Sequence, residues 1–463
     1  MQKLKHPYRK ILISLFLLIV SNRAISQTTD TLITLKDALQ MAEQRYHLLK
    51  SKQYEISAAQ KNVDVVKYNS TMPSLDASYQ ANIATSNNAT GMFYPSGVLP
   101  ISGPPSASNN YSPATGSIAA LLLNWEAINF GQRSSKINVA VAEAGTKEAE
   151  YKENLFRHKI NTLSTYLDVL LEYDYLKIYK SNIERTNVNL EQSRVLTNSG
   201  IKPGVDTALF LSEQSKAKID WMNTQKQLQV YQLLLAQLIV TDALPVPSDT
   251  AFLKKLPATI FANDTSFKNN PAIQFAQSQY QLSKSKELFI KKSYLPKLNL
   301  WGTTFGRGSG FQPDGSIKTF DGLVINRFNY GAGVQLSFPI MKLGETKGQL
   351  QQQNFLSAAV QEKINDTKAA LQTQQQIANA TYANSVAIAK ETQQQLKSAQ
   401  YAFSAMQIRY NTGLVNFADL IQSQYNLLKA ELDNKKAYWD VWKALLLQAA
   451  IQGDETIFTH AIQ

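Results

Sequence analysis

With 463 residues, 44% of them hydrophobic and 18% charged, the chain is long enough for two or three ordinary domains and too apolar to be disordered. It has no cysteine, which excludes disulfides, cysteine-ligated metals, thiol catalysis and an N-terminal lipid-modified cysteine, and its four histidines (His6, His47, His158, His460) show no metal-ligand spacing. The formal charge of +12 falls to +7 (12 − 5) once the five basic residues of the first 26 are set aside. The remaining Lys and Arg sit among Asp and Glu, which describes a solvated helix surface and not a nucleic-acid patch.

The N-terminus carries Lys3, Lys5, Arg9 and Lys10, then the apolar run Ile11–Val20, then Ala24-Ile25-Ser26. A basic stretch, a short apolar core and small residues at a cleavage point predict a signal peptide over residues 1–26 and hence export. At ten residues this run is too short for a bilayer-spanning helix, which needs about 20. Beyond it, the longest apolar runs, Leu233–Val240 and Leu445–Ile451, are short and contain glutamine. If the exported chain crosses a membrane, it must do so as strands.

Residues 27–240 form a first repeat. Apolar residues recurring at three and four (Leu35, Leu39, Ala42, Tyr46, Leu49) predict one amphipathic helix over 34–71, ending near Pro73. Leu75, Ala77, Tyr79, Ala81 and Ile83 then alternate with Asp76, Ser78, Gln80 and Asn82, a strand with one apolar and one polar face. A polar loop over 86–113 leads to a second strand around Thr115–Trp125, so the hairpin occupies about 74–125. From Gln132 to Ser199 there is no proline and one glycine, enough for about 100 Å of helix. Gly200 and Pro203-Gly204 break it, and a second breaker-free segment runs from Val205 to Val240.

Residues 241–271, with Pro245, Pro247, Pro257 and Pro271, form a non-helical connector. Residues 272–463 repeat the order: a helix over 272–294, a hairpin over about 297–339 with strands Leu298–Phe305 and Asn329–Phe338, a long helix Glu345–Tyr410, and a last helix to about Gln452. The tip Asn198, Gly200, Asp206 recurs as Asn411, Gly413, Asp419, an offset of 213 (413 − 200 and 419 − 206). Gly131 and Gly344 share that offset (344 − 131 = 213), whereas Pro73 and Pro296 differ by 223. An internal duplication is expected, with matched lengths from the start of the long helix to the tip.

Several local features have plain readings. The glutamine-rich stretch 349–376 is expected to be a wet helix face lining a tube. Gly306-Arg307-Gly308-Ser309-Gly310 has the look of a phosphate loop but follows a strand and opens no helix, so a flexible loop is expected. Trp125, Trp301 and Phe338 fit either an interfacial aromatic girdle or ordinary sheet packing. Trp439 and Trp442 are expected in a core. No nucleophile elbow, carboxylate pair or metal spacing emerges, so neither enzymatic activity nor a cofactor is expected.

Four amphipathic strands cannot close a barrel alone, and open edges in lipid are prohibitively costly. Three copies would give a homotrimer with a closed twelve-stranded barrel, apolar faces toward lipid and polar faces toward water. The long helices would extend from it as a helical tube. The loops 86–113 and 306–328 would sit together at the other end.

Together, the signal peptide, the duplicated order, the proline-rich connector and the tip Y-x-x-G-x-x-x-x-x-D resemble the TolC-like outer-membrane efflux proteins, the outer membrane factors. That resemblance implies four transmembrane β-strands per protomer in a trimeric barrel and an α-barrel of long antiparallel coiled-coil helices. It implies a passive duct across the outer membrane and periplasm, docked to a periplasmic adaptor and an inner-membrane pump. It assigns Gly200, Gly413 and Val415 to the adaptor-docking tips, and Asp419 and Gln422 to a periplasmic entrance. It places Asp206 and Tyr410 in a network that holds the tip closed. In the family pattern Val415 is an arginine and Gln422 a second aspartate, so one acidic ring and no Asp206–arginine latch are expected. Asp206 and Asp419 also read simply as helix N-caps. The alternative whole-chain reading is an exported periplasmic coiled-coil scaffold or adaptor with a soluble β-domain. A surface adhesin is a third, which leaves the matched helix lengths unexplained.

Overall fold

The computed structural model describes residues 31–85, 87, 107–249, 252–257, 267–312, 314 and 316–461. The signal peptide expected over 1–26, most of the 86–113 loop and part of the 241–271 connector lie outside the described residues. The elements in chain order are β1 (Thr31–Ile33), α1 (Leu35–Arg45), α2 (His47–Thr71), β2 (Ser74–Ala84), β3 (Ala114–Ile128), α3 (Gln132–Asn198), α4 (Gly204–Ile239), β4 (Pro245–Pro247), α5 (Pro271–Lys292), β5 (Lys297–Ser309), β6 (Arg327–Ser337), α6 (Lys342–Asn411), α7 (Phe417–Gln452) and α8 (Thr456–His460). The helix expected over 34–71 is two helices. Tyr46 takes an extended backbone (φ −64°, ψ 119°) between them, and its ring stacks on His158 at 3.8 Å.

The chain divides into two compact units. The first comprises residues 1–54, 149–276 and 363–463. Its main core joins Leu163, Tyr166 and Leu167 of α3 to Leu235 and Ile239 of α4 and to Val441, Trp442 and Leu445 of α7. Trp442 lies in that core, edge-on to Phe252 at 4.9 Å. Trp439 sits at its edge, with its indole N–H on Asp168 (3.2 Å). The proline-rich connector contains β4, which pairs in parallel with β1 (Thr31↔Pro245, Leu32↔Val246, Ile33↔Pro247). Proline is tolerated there because a strand of a two-stranded sheet leaves one backbone edge unpaired. Asp249 fastens the connector by accepting from the Leu35 N–H (2.7 Å) and the Tyr166 hydroxyl (2.9 Å).

The second unit comprises residues 55–148 and 277–362 and holds an antiparallel sheet in the order β2-β3-β5-β6. Its register segregates the faces. Ala77↔Leu121↔Thr304↔Tyr330 and Leu75↔Leu123↔Gly302↔Ala332 lie on one face, with Tyr79, Trp125, Phe328 and Val334. Leu75, Tyr79, Phe328, Tyr330 and Val334 are all more than 60% exposed, so most of this apolar face has no cover among the described residues. The other face carries Asp76, Gln80, Asn124, Thr303, Asn299, Gln335 and Lys297. Trp301 belongs to this polar face and lies flat over glycine: a Cβ on Gly333 would come within 2.8 Å of its ring. It is a packing residue of the sheet, while Trp125 is on the apolar face with its N–H on the Thr71 carbonyl (2.9 Å).

The Gly306–Gly310 stretch is not a flexible loop. β5 continues through Ser309, and the segment after it folds back over the strands. A Cβ on Gly308 would lie 2.2 Å from the Val324 carbonyl, and one on Gly322 would lie 1.7 Å from that of Thr115. Glycine is required there for close backbone approach.

In α6, Ser357, Ile364, Leu371, Ala378, Ser385 and Thr392 are buried at seven-residue steps. A seven-residue seam is the signature of left-handed coiled-coil packing. Of the glutamine-rich residues, Gln353 and Gln375 enter this buried side while Gln349, Gln351, Gln352 and Gln376 are exposed.

Candidate functional site: the paired helical tips

Both tips end in the same backbone device. At the end of α3, the Ile201 N–H donates to the Leu196 carbonyl (2.9 Å) and the Gly200 N–H to that of Thr197 (3.0 Å), with Gly200 at φ +72°. At the end of α6, the Leu414 N–H donates to the Arg409 carbonyl (2.9 Å) and the Gly413 N–H to that of Tyr410 (3.0 Å), with Gly413 at φ +77°. These are Schellman motifs with glycine in the left-handed position, where a side chain would meet its own backbone. Both glycines are exposed, and no atom lies within 4 Å of where a Cβ would stand, so backbone conformation and not space accounts for them.

The helices that restart after the tips are capped differently. α7 opens with a capping box: the Asn416 side chain accepts from the Asp419 N–H (2.9 Å), and the Asp419 carboxylate accepts from the Asn416 N–H (3.4 Å). α4 opens after Pro203, with no side-chain cap, and Asp206 stands in its first turn. Neither aspartate is therefore the N-cap residue itself. The cap position precedes each by three, at Asn416 and Pro203, because the helix begins only after the turn has redirected the chain. Both carboxylates still sit in the first turn, where the helix dipole favours negative charge.

The two tips meet around a buried aromatic cluster. Tyr410 and Phe210 are fully buried, edge-on at 5.7 Å, and Phe417 meets Phe210 at 4.6 Å. The Tyr410 hydroxyl reaches Asp206 in a long hydrogen bond of 3.4 Å. Burial, and then the Asp206 charge, push the phenol up to about 12, so it is neutral at physiological pH and remains a donor. Val415, where the resemblance leads one to expect arginine, is half-buried against the cluster. A cation reaches the same place from the other tip. Lys202 donates to the Val415 carbonyl (3.1 Å), and its ammonium lies 5.2 Å from the centre of the Tyr410 ring. Lys202 is the counterpart of Val415 at the 213-residue offset (415 − 202 = 213). The signal in the sequence is the spacing itself: Lys202 follows Gly200 by two residues as Val415 follows Gly413.

Asp419 and Gln422 are exposed on α7, three residues apart on one face, and continue into Asn426, which accepts from the Gln422 amide (3.0 Å). They do not join the Tyr410 cluster. Beyond the tip, α3 and α7 are joined by a buried polar seam. Gln424 links Asn189 (2.7 Å) and Asn182 (3.1 Å), and Arg185 grips Glu431 through two hydrogen bonds (2.9 and 2.7 Å). Among the described residues no group of His, Cys, Asp and Glu is arranged to hold a metal ion.

The sequence profile of the outer membrane efflux protein family matches residues 21–239 and 264–443. No curated protein sequence is similar enough to the chain to match it. Among solved structures, the outer membrane protein VceC of Vibrio cholerae is similar at TM-score 0.69 and 15% identity, covering 91% of this chain and 96% of its own. The CmeC outer membrane channel of Campylobacter jejuni is similar at 0.70 and 14% identity, covering 90% of this chain and 85% of its own. The MtrE outer membrane channel of Neisseria gonorrhoeae, in its open state, is similar at 0.67 and 16% identity, covering 91% of this chain and 90% of its own. At such identities the structures show a shared fold, and the family profile covers both halves of the chain: the chain belongs to the outer membrane efflux protein family.

Proposed function

We propose that the chain is one protomer of a homotrimeric, passive export duct in the outer membrane, reaching into the periplasm and working with a periplasmic adaptor and an inner-membrane pump. The observation that carries this reading is the sheet of the second unit. It has a largely exposed apolar face, a polar opposite face, and β2 and β6 as edge strands. In lipid such edges must be closed by further strands, and three copies of four supply a twelve-stranded barrel. In the first unit, Val205, Leu209, Ile219 and Met222 of α4 are also exposed apolar residues, as expected of a surface that meets neighbouring protomers.

An internal duplication accounts for the repeated order of elements, the 36-residue helices that follow both tips, and the Schellman turns in register. Gly200, Gly413 and Val415 belong to the adaptor-docking tips. Asp419 supplies one carboxylate per protomer to the periplasmic entrance, with Gln422 as its uncharged companion. Asp206 and Tyr410, joined by Lys202, hold the two tips of a protomer together in the closed state. The duct itself carries out no chemistry and needs no cofactor.

Purified full-length protein is expected to size as a trimer in detergent, to fractionate with outer membranes, and to give single-channel currents in planar bilayers. A soluble monomer recovered from periplasmic extract would overturn the duct and favour the scaffold reading.

A further inference from the structure

At the end of the sheet where the strands run into the loops, the last row of the β5–β6 ladder sets Arg307 directly opposite Arg327. Residues so paired have Cα atoms about 5 Å apart, and like charges there repel. The row continues through Ile118 of β3 to Gln80 of β2, so it holds two cations and no carboxylate. Both arginines are exposed, and neither makes an ion pair among the described residues. They share the polar face with Thr303, Asn299 and Gln335. The segment after β5 lies over the opposite face, where the Ser117 hydroxyl donates to the Gly322 carbonyl (2.7 Å) and Gly308 packs under Val324, so it leaves the arginines open. Its two carboxylates are engaged. Asp314 accepts from the Ser316 N–H (3.0 Å) and hydroxyl (2.7 Å), and Asp321 accepts from the Gln312 amide (3.5 Å) and lies 3.9 Å from Lys318. The other loop at this end, residues 86–113, contains no charged residue. Along the polar face the next carboxylate is Asp76 of β2, four residues lower at the level of Thr303. Four residues of strand span about 13 Å, more than the ~8 Å screening length at physiological salt. At the helical end of the same face Lys297 is matched by Glu126 (2.8 Å). Charge is thus balanced at one end of the face and unbalanced at the other.

We propose that Arg307 and Arg327 form a basic ring inside the outer mouth of the barrel, which draws anionic solutes, multivalent oxyanions above all, into the last stretch of the path. The proposal rests on the duct reading, in which the polar face lines the bore and the loops lie at the outer end. Three protomers then set six guanidinium groups around the bore, a formal charge of +6 (3 × 2). Rings of Arg or Lys are the arrangement by which pores favour anions. A guanidinium offers paired donors that match the oxygens of a phosphate or carboxylate. Low-dielectric walls focus the field of such a ring along the bore. The repulsion between opposed arginines is relieved each time an anion sits between them, which is the differential interaction that attraction requires. The ring is opposite in sign to the carboxylate that Asp419 supplies at the periplasmic entrance, so the two ends of the duct sort ions differently.

The test is single-channel recording of the full-length trimer in planar bilayers, free of divalent cations, with inorganic tripolyphosphate added to each chamber in turn. Wild type is expected to be blocked from one chamber only. The double variant Arg307→Gln/Arg327→Gln is expected to need about tenfold more tripolyphosphate for the same block, while its conductance without the anion stays that of an open channel. Arg327→Gln alone removes half the ring and should fall between the two, which keeps the test readable if the double variant fails to insert. The charge-keeping pair Arg307→Lys/Arg327→Lys should retain most of the block. Lys318→Gln removes a charge from the same loop but from the segment over the opposite face, and should leave the block unchanged. Equal loss of block in Lys318→Gln would assign the effect to the loop as a whole and overturn the ring. A conducting wild type that tripolyphosphate leaves unblocked from both chambers, or equal block in wild type and both glutamine variants, overturns the ring and leaves the duct reading standing. A wild type that forms no channel overturns the duct reading and the ring with it.

Discussion

At the tip, the polar attachments of one buried phenol include a hydrogen bond to Asp206 and the Lys202 ammonium near its ring. Removing the ammonium in Lys202→Met costs about 1–2 kcal/mol from one hydrogen bond and one cation–π contact. If Lys202 holds the closed state, the variant trimer should show raised resting conductance in bilayers; unchanged conductance would separate Lys202 from the gate. Asp419 is exposed, and its capping partner is one backbone N–H. Asp419→Ala should therefore fold normally yet lose block by multivalent cations, and persistent block would remove Asp419 from the entrance. A third residue reports on pH. Burial, and then the Asp168 charge, raise the Glu172 carboxyl from 4.5 to about 7. The folded state then holds its proton more tightly than the unfolded chain, so stability falls as pH rises from 4.5 to about 7 and stays lowered above it. Glu172→Gln should raise the melting temperature at pH 8 relative to wild type and leave it nearly unchanged near pH 4; equal melting at both pH values would contradict the raised carboxyl.

At the scale of elements, the long helices are stopped by backbone conformation. Gly413 sits at φ +77° in open space, so a valine there would meet no neighbour but would strain the backbone by about 1–2 kcal/mol. Gly413→Val is expected to impair export while the protein still reaches the outer membrane. Loss of insertion would instead mean that the turn is needed for folding. Helix limits were readable from glycine and proline, and the observed ends at Asn198 and Asn411 fall within one residue of those expected. The break at Tyr46 was not readable, because no helix breaker marks it and the ring is held by His158, over a hundred residues away. The seam of α6 was also hidden: Ser357, Ala378, Ser385 and Thr392 are small or polar, so a hydrophobic pattern does not reveal them.

At the scale of the molecule, the sheet faces make the membrane reading testable by charge. Val334 is on the apolar face and Gln335 beside it is on the polar face. Val334→Arg should cost about 2–4 kcal/mol if that face meets the bilayer midplane, and should lower the fraction of protein in outer membranes. Gln335→Arg should be tolerated. Equal tolerance of both would refute lipid contact at this face.

Alternation along β2 and β6, breaker-free helices and the 213-residue offset are local patterns, and from them the sequence alone determined the element order, the strand faces and the positions of both tips. A period of two or of 3.6 depends only on neighbours along the chain. The tertiary structure decided what depends on distant partners. It brought Lys202 to the Val415 carbonyl, closed Tyr410 against Asp206, and made Gly306–Ser309 strand by pairing it with β3. Each of these contacts joins residues that only packing makes neighbours, with a hydrogen bond or ladder pairing as the energetic reason.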